Sequence, residues 1–254
     1  MWDPTMYLTF ADHRGRPFHD LVSRIAVTAP KRVVDLGCGP GNQTETLTRR
    51  WPDAAVEGTD TSVEMVEAAR ARGINVRVED IHDWQPEPDI DVVLTNAVLQ
   101  WVPDHQELLS RWAGELSSGA WFGMQVPGNF AAPSHVLIRN IAESPEWRAD
   151  LADVRLRQED TVARPAEYAA LFVDAGCEVD AWETTYSQRL TGDDPVLDWV
   201  TGTALRPIKA ALDEERWDRF LGQLGPRLRA AYPARADGTT WFEFRRVFVV
   251  ARIP

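Results

Sequence analysis

Residues 33–42 read Val-Val-Asp-Leu-Gly-Cys-Gly-Pro-Gly-Asn: an apolar strand running into three close glycines and then into a helical stretch. This succession is the opening βα unit of a sheet whose ligands lie at the carboxyl ends of its strands. The glycines stand at 37, 39 and 41, whereas a dinucleotide fingerprint needs its third glycine at position 42, which is Asn. Glycine takes positive φ and places no Cβ between the backbone and a ligand, so the pattern predicts a tight turn beneath a bulky group. A plain tight turn is the simpler alternative.

The downstream periodicity supports the sheet. Apolar runs at 31–36, 54–59, 74–78, 90–95 and 120–126 read as strands, separated by helical stretches at 43–50, 62–71 and 105–116. Short apolar strands joined by helical crossovers predict a mostly parallel, doubly wound α/β sheet covered on both faces. Ahead of it, 17–27 places Phe18, Leu21, Val22 and Ile25 at helical spacing, so Pro17 is expected to open a helix that Pro30 closes. After Val126 the chain breaks at Pro127-Gly128-Asn129 and again at Ser144-Pro145, with 134–142 helical between them. Segments 178–189 and 241–253 are rich in β-branched and aromatic residues and read as two closing strands, with helical pieces at 194–203 and 213–228 between them. The expected layout is one domain over 1–254. Its cofactor half is 31–126, its lid and substrate elements are 1–30, 127–175 and 190–235, and its closing strands are 176–189 and 240–253.

Three features beside the loop point to a nucleoside-like ligand. The positive end of the helix after the loop suits an anion. Asp60 ends the second strand nineteen residues past Gly41, where a carboxylate can accept from both hydroxyls of a ribose. Asp80 ends the third strand, suited to an adenine amino group, with Ile81 against the ring. Alone, either aspartate reads equally as a helix cap, but Ser62 is the better cap for the second helix and frees Asp60. Asn96 closes the fourth strand at the same edge, as a ligand contact or a turn residue.

A formal charge of -12 and a pI near 4.9, with scattered arginines and no basic stripe, exclude general nucleic-acid binding. Two distant cysteines, Cys38 and Cys177, suggest neither a disulfide framework nor a metal site. No apolar run nears 18 residues, and the first twenty residues lack the apolar core of a secretory signal, so a cytoplasmic protein without membrane contact is expected.

At the glycine loop the chain resembles the class I S-adenosylmethionine-dependent methyltransferases. Over nearly its whole length it is similar to the trans-aconitate methyltransferase family. The likeness is carried by Trp2-Asp-Pro, Arg14-Gly-Arg-Pro17, Leu99-Gln-Trp-Val-Pro-Asp-His105, Gln125-Val-Pro-Gly-Asn129, Pro133-Ser-His-Val136, Asp198-Trp-Val-Thr201, Leu205-Arg-Pro207 and Phe248-Val-Val-Ala-Arg252. Residues 144–163 carry no such match, and Gln43 stands where a small hydroxyl residue is usual. The resemblance implies a Rossmann-like sheet with an antiparallel C-terminal strand and a helical lid. It also implies transfer of a methyl from S-adenosyl-L-methionine to one carboxylate of trans-aconitate, leaving S-adenosyl-L-homocysteine. The cofactor contacts it implies are Tyr7, Arg14, Asp35, Gly37, Gly39, Gly41, Gln43, Asp60, Thr61 and Met65, then Asp80, Ile81, Asn96 and Ala97.

Such a transfer needs no general base, because a carboxylic acid with a pKa near ~4 is already ionised at neutral pH. A small polycarboxylate inside an acidic protein does need local cations, and the planar fork of arginine suits carboxylates best. Arg14, Arg16, Arg206 and Arg246 are the candidates, with His135, Tyr186 and Trp101 as hydrogen-bonding or shape-setting neighbours. Arg14 could instead hold the methionyl carboxylate, and Trp101 could face the sulfonium or be a core residue. Arg246 alternates in phase with Phe242, Phe244, Phe248 and Val250, which buries it beside a partner or leaves it on an edge strand reaching solvent. Another carboxylic acid or a natural-product hydroxyl as acceptor, a nucleotide-binding oxidoreductase, and a non-catalytic ligand-binding module are the competing readings. A monomer or weak dimer is compatible with the sequence.

Overall fold

The computed structural model describes residues 11–254, with side chains from Gly15 onward. In chain order the elements are α1 (Ala11–Ser23), β1 (Arg32–Leu36), α2 (Thr44–Arg50), β2 (Ala55–Asp60), α3 (Val63–Ala71), β3 (Asn75–Val78), β4 (Val92–Asn96), a 3₁₀ turn at Leu99–Trp101, α4 (His105–Glu115) and β5 (Trp121–Pro127). There follow α5 (Pro133–Ala142), a 3₁₀ turn at Glu159–Thr161, α6 (Pro165–Asp174), β6 (Glu178–Thr191), α7 (Pro195–Thr201), α8 (Arg206–Ala211), α9 (Glu214–Ala231) and β7 (Thr239–Arg252).

Among the described residues the sheet has seven strands in the order β3-β2-β1-β4-β5-β7-β6. The pairs β1–β2, β1–β4, β2–β3 and β4–β5 are parallel, and β7 runs antiparallel to β5 with Trp121 opposite Arg252 and Pro127 opposite Arg246. This is the doubly wound layout with an antiparallel C-terminal strand that the sequence predicts. The order reverses between β1 and β4, which opens a crevice at their carboxyl ends. Val33, Val34, Leu36, Val92, Val93 and Leu94 are all buried, as strands covered on both faces require.

The chain divides into two compact units, one of Met1–Pro127, Val162–Thr184 and Arg246–Pro254, the other of Gly128–Thr161 and Thr185–Arg245. In the first, α1 lies on β5 at Gly123, where an added Cβ would stand 2.9 Å from Leu94 Cδ2 and 3.1 Å from Ile25 Cδ1. In the second, α9 packs on α5 and α7, burying Trp217, Phe220, Leu224 and Leu228.

Pro17 does not open the first helix; it lies inside α1, which begins at Ala11. An interior proline costs about 3 kcal/mol. Phe18, Leu21 and Val22 are 0–5% exposed on the same helix, and at about 1.5–3 kcal/mol each their burial outweighs it. The sequence reading also left α6 unassigned, although Pro165 at its first position, Glu167 bonding back to the Arg164 N–H at 2.7 Å and Gly176 beyond its end are the ordinary marks of a helix.

Candidate active site

Beyond Leu36 the chain turns over Gly37, Gly39 and Gly41, whose φ angles are 72°, 57° and 76°. The three do different work. A Cβ on Gly37 would stand 2.4 Å from Val98 Cγ2, and one on Gly41 would stand 2.6 Å from Ile74 Cδ1 and 2.9 Å from Ala69 Cβ. A Cβ on Gly39 meets nothing within 4 Å among the described residues. The outer two glycines therefore let the loop pack, and the middle one leaves open backbone of the kind that a bulky ligand lies against. Cys38 between them joins the apolar cluster of Val66, Ala69, Ile74 and Val76, and a Cβ on Gly58 would lie 2.9 Å from its Sγ. Burial, reinforced by Asp35 and Asp60, pushes the Cys38 thiol up, so it packs rather than reacts.

Asp60 sits where β2 ends, beside the loop. Its Oδ2 accepts from the Gly39 N–H at 2.9 Å and its Oδ1 from the Ser62 N–H at 2.9 Å. A carboxylate offers about four acceptor sites, so capacity remains for a pair of hydroxyls. Ser62 caps α3 by accepting from the Met65 N–H at 3.3 Å, as expected. Thr61 is exposed and Met65 buried at the start of that helix.

Asp35 is turned inward, 3% exposed, and accepts from the Thr44 hydroxyl at 2.6 Å. Burial pushes its carboxyl up to about 7, against the lowering effect of that hydrogen bond, and the charge of Asp60 adds to the rise. The bond ties the first residue of α2 to β1, a reason for the hydroxyl at 44 that the sequence reading did not identify. That helix has only seven residues, with Gln43 preceding it in helical geometry. The Gln43 side chain reaches toward α1, its Nε2 lying 3.2 Å from a Cβ built on Gly15. Its Oε1 is buried without a hydrogen bond among the described residues.

Asp80, past β3, accepts at Oδ1 from the His82 N–H at 2.9 Å and lies 2.7 Å from His82 Nδ1, while His82 Nε2 lies 3.0 Å from Asp104 Oδ1. Hydrogen bonds to Asp104 and Asp80 hold the His82 imidazole above its ordinary pKa; the His82 N–H first, and then the ring, lowers Asp80, and the ring lowers Asp104. The Oδ2 of Asp80 makes no hydrogen bond among the described residues and stays available to a donor. Ile81 next to it is 8% exposed.

At the end of β4, Ala97 has φ 58°, the one non-glycine residue with positive φ among those described. Such a conformation costs roughly 1–2 kcal/mol and tends to occur at functional sites. It is held by the Ala97 N–H donating to Gln125 O at 2.8 Å and by Gln100 Nε2 donating to Ala97 O at 2.6 Å. Asn96 Oδ1, just before the kink, is buried without a hydrogen bond among the described residues. The 3₁₀ turn that follows presents Trp101, 53% exposed. Beyond it, His105 Nδ1 lies 2.7 Å from Val102 O, an acceptor, so Nδ1 carries the proton and Nε2 accepts from the Tyr168 hydroxyl at 2.8 Å. The Tyr168 oxygen in turn accepts from the Ala163 N–H at 3.3 Å. The sequence reading took His105 only as a helix start.

Arg246 is 6% exposed, and its Nη1 donates to Gln125 Oε1 at 3.3 Å. Because β7 lies between β5 and β6, the edge-strand alternative for this residue is overturned. Arg16 is exposed on α1. His135, Tyr186 and Arg206 belong to the second unit; Tyr186 is buried there and Arg206 opens α8. Tyr7 and the Arg14 side chain lie outside the described residues. An open cavity of about 600 Å³ in the second unit is lined by Arg139 and, among its other charged groups, by Glu143, Glu159 and Asp160, which repel a polyanion. Among the described residues no group of three or more His, Cys, Asp or Glu side chains could hold a metal ion, and no helix is long and apolar enough to cross a membrane.

A family model described as a methyltransferase domain matches residues 33–119. A trans-aconitate 2-methyltransferase from Rhodococcus jostii is 60% identical over 253 residues, covering 100% of both chains. The chain belongs to the trans-aconitate 2-methyltransferase family. A Mycobacterium tuberculosis member of that family is 52% identical, covering 100% of this chain and 97% of its own. Among solved structures, the YcgJ protein of Bacillus subtilis superposes with a TM-score of 0.60 at 14% identity, covering 93% of this chain and 97% of that one. A Haemonchus contortus phosphoethanolamine N-methyltransferase 2, in complex with S-adenosyl-L-methionine, gives 0.55 at 15% identity over 94% of this chain and 52% of its own. At these identities the two likenesses show a shared fold alone.

Proposed function

We propose that this chain transfers the methyl group of S-adenosyl-L-methionine to one carboxylate of trans-aconitate, forming a monomethyl ester and S-adenosyl-L-homocysteine. The full-length identity of 60% with a trans-aconitate 2-methyltransferase carries the reading. The open backbone at Gly39, with Asp60 beside it, supports the cofactor assignment. When bound, the cofactor supplies an electrophilic methyl on a positively charged sulfur. Asp60 would accept from the ribose hydroxyls, the open Oδ2 of Asp80 would take the adenine amino group with Ile81 along the ring, and the buried Asn96 Oδ1 would meet a donor of the ligand. An acceptor carboxylate is already ionised at neutral pH, so no residue of the chain would be called on as a general base toward a bound methyl donor. The task left to the protein is alignment and the exclusion of water. Arg14, Arg16, Arg206 and Arg246 are the orienting candidates from sequence, with Trp101, His135 and Tyr186.

A cytoplasmic location accords with two free cysteines. The acceptor assignment is tested with a panel of trans-aconitate, an apolar monocarboxylic acid and a phenolic hydroxyl compound, each followed for S-adenosylhomocysteine release. The highest kcat/KM is expected for trans-aconitate. A higher value for either of the others would overturn the acceptor while leaving the methyl transfer intact.

A further inference from the structure

Within the first unit, the loop 79–84 that follows β3 is tied to α4 by groups of two kinds. Trp84 is 1% exposed and meets Trp112 of α4 edge-on, with ring centroids 5.5 Å apart. Arg111 of the same helix donates from Nη2 to Trp84 O at 3.2 Å and to His82 O at 3.4 Å. Neither of these ties titrates near neutral pH. They hold the loop in place whatever the state of the His82 ring.

The remaining tie is of a different kind. His82 Nδ1 lies 2.7 Å from Asp80 Oδ1, and Nε2 lies 3.0 Å from Asp104 Oδ1. Both partners are carboxylates, which only accept, so the two bonds exist together only when each ring nitrogen carries a proton. A neutral ring gives up one bond and sets a lone pair against a carboxylate. Asp104 stands at the N-cap position of α4, where an aspartate commonly caps its own helix. Its side chain makes no cap bond and is committed to His82 instead. The His82 N–H also donates to Asp80 Oδ1, at 2.9 Å. Two donors on one oxygen fix the rotation of the Asp80 carboxylate, and the oxygen they leave is Oδ2, the atom assigned above to the adenine amino group.

The charged groups that face the ring are Asp80 on its own loop and Asp104 on α4, while Arg111 of α4 reaches the His82 backbone carbonyl. The bond to Asp104 first and that to Asp80 second hold the imidazole above its ordinary pKa, against a lowering by burial. A proton held in this way is present below the raised pKa and is lost as pH climbs through it.

We propose that His82 is a positioning residue for nucleoside recognition: its doubly protonated ring locks Asp80 to Asp104, and affinity for the adenine amino group falls when one of those protons leaves. The inference rests on the adenine assignment of Asp80 in the functional reading above and adds the group that governs it. The side chains of His82, Asp80 and Asp104 are 45%, 50% and 46% exposed. Solvent therefore screens the pairs, and the effect is severalfold rather than orders of magnitude.

The test measures, by calorimetry, the affinity of the protein for S-adenosylhomocysteine and for its analogue whose purine lacks the 6-amino group, from about pH 6 to about pH 8.5. The ratio of the two affinities cancels every titration that does not involve the amino group. In wild type the preference for the amino compound falls by about three- to fivefold across this range. In His82→Gln, which keeps one donor as the neutral ring does, the ratio already stands at the wild-type high-pH value and does not change with pH. Its Tm stays within about 2 °C of wild type, because the Trp84 and Arg111 ties remain. Asp104→Asn keeps an acceptor and a good cap but removes a charge from the ring, so the fall in the ratio moves to lower pH. A flat ratio in wild type, an unaltered slope in His82→Gln, an equal loss of both ligands in that variant, or an unmoved midpoint in Asp104→Asn overturns the inference. Should His82→Gln not fold, the midpoint in Asp104→Asn decides alone. Binding of S-adenosylhomocysteine by wild type separates the two levels. No binding at any pH removes the functional reading and this inference with it, whereas firm binding with a pH-independent ratio removes only the inference.

Discussion

Replacing the loop glycines one at a time by alanine separates packing from ligand binding within a single motif. At Gly39 the backbone φ of 57° lies within the left-handed well open to other residues, and the added Cβ meets no atom of the described residues within 4 Å. The cost to the fold is then the left-handed term alone, about 1–2 kcal/mol. For a chain of this size that lowers Tm by about 2–8 °C. The same methyl projects onto the open backbone face, where overpacking a bound ligand by about 1–3 kcal/mol weakens it by roughly five- to 150-fold. At Gly41 the methyl instead meets Ile74 Cδ1 at 2.6 Å, Ala69 Cβ at 2.9 Å and backbone at Ala69 Cα, 3.2 Å away. Left-handed strain and overpacking add there to about 2–5 kcal/mol, or a Tm loss of about 4–20 °C. Gly37→Ala falls between the two, because the Val98 methyls it strikes belong to a half-buried side chain that can turn away. Differential scanning fluorimetry with and without S-adenosylhomocysteine reads both quantities. Gly39→Ala should keep most of its Tm and lose most of the ligand-induced rise, and Gly41→Ala should lose Tm first. Wild-type ligand affinity in Gly39→Ala would refute the assignment of that face to the cofactor.

Two further outcomes follow from buried polar groups. Asp35 carries a folded pKa of about 7, above its ordinary value of 3.8. The unfolded chain thus releases its proton first, and this group's contribution to stability falls as pH rises from about 4 to about 7 and stays low above that. Asp35→Asn, which keeps an oxygen for the Thr44 hydroxyl, should flatten that part of the profile in chemical denaturation at fixed pH steps; an unaltered slope would exclude Asp35 as its source. Tyr168→Phe leaves the His105 Nε2 and the Ala163 N–H without the shared hydroxyl, which at about 1–3 kcal/mol lowers Tm by about 2–12 °C. Its S-adenosylhomocysteine affinity should be unchanged, and an equal loss of affinity would make the pair part of the ligand site.

The parallel strands were legible to within a residue or two because each is a short apolar run bounded by polar or turn residues, and burial on both faces leaves such runs little choice. The loop was legible for a related reason, since glycine spacing records backbone geometry. Asp60 ends its strand as the sequence reads, whereas the third strand stops at Val78 and leaves Asp80 two residues beyond it. What the sequence withheld was pairing at a distance. Nothing local marks His105 as the partner of Tyr168, 63 residues away, or His82 as the link between Asp80 and Asp104. Arg246 showed its alternation but not its neighbours, and only the strand order, with β7 interior, settles that it is buried. Pro17 misled because a strong local rule, that proline starts helices, was outweighed by three buried side chains on the same face.

The central claim, methyl transfer to a carboxylate of trans-aconitate, is tested most directly by following the methyl itself. The purified protein is incubated with trans-aconitate and S-adenosyl-L-methionine isotopically labelled in the methyl group, and the label is located by NMR. The account predicts a labelled methyl ester appearing in step with S-adenosyl-L-homocysteine, one for one. Label that stays on the sulfonium at high enzyme concentration would contradict it.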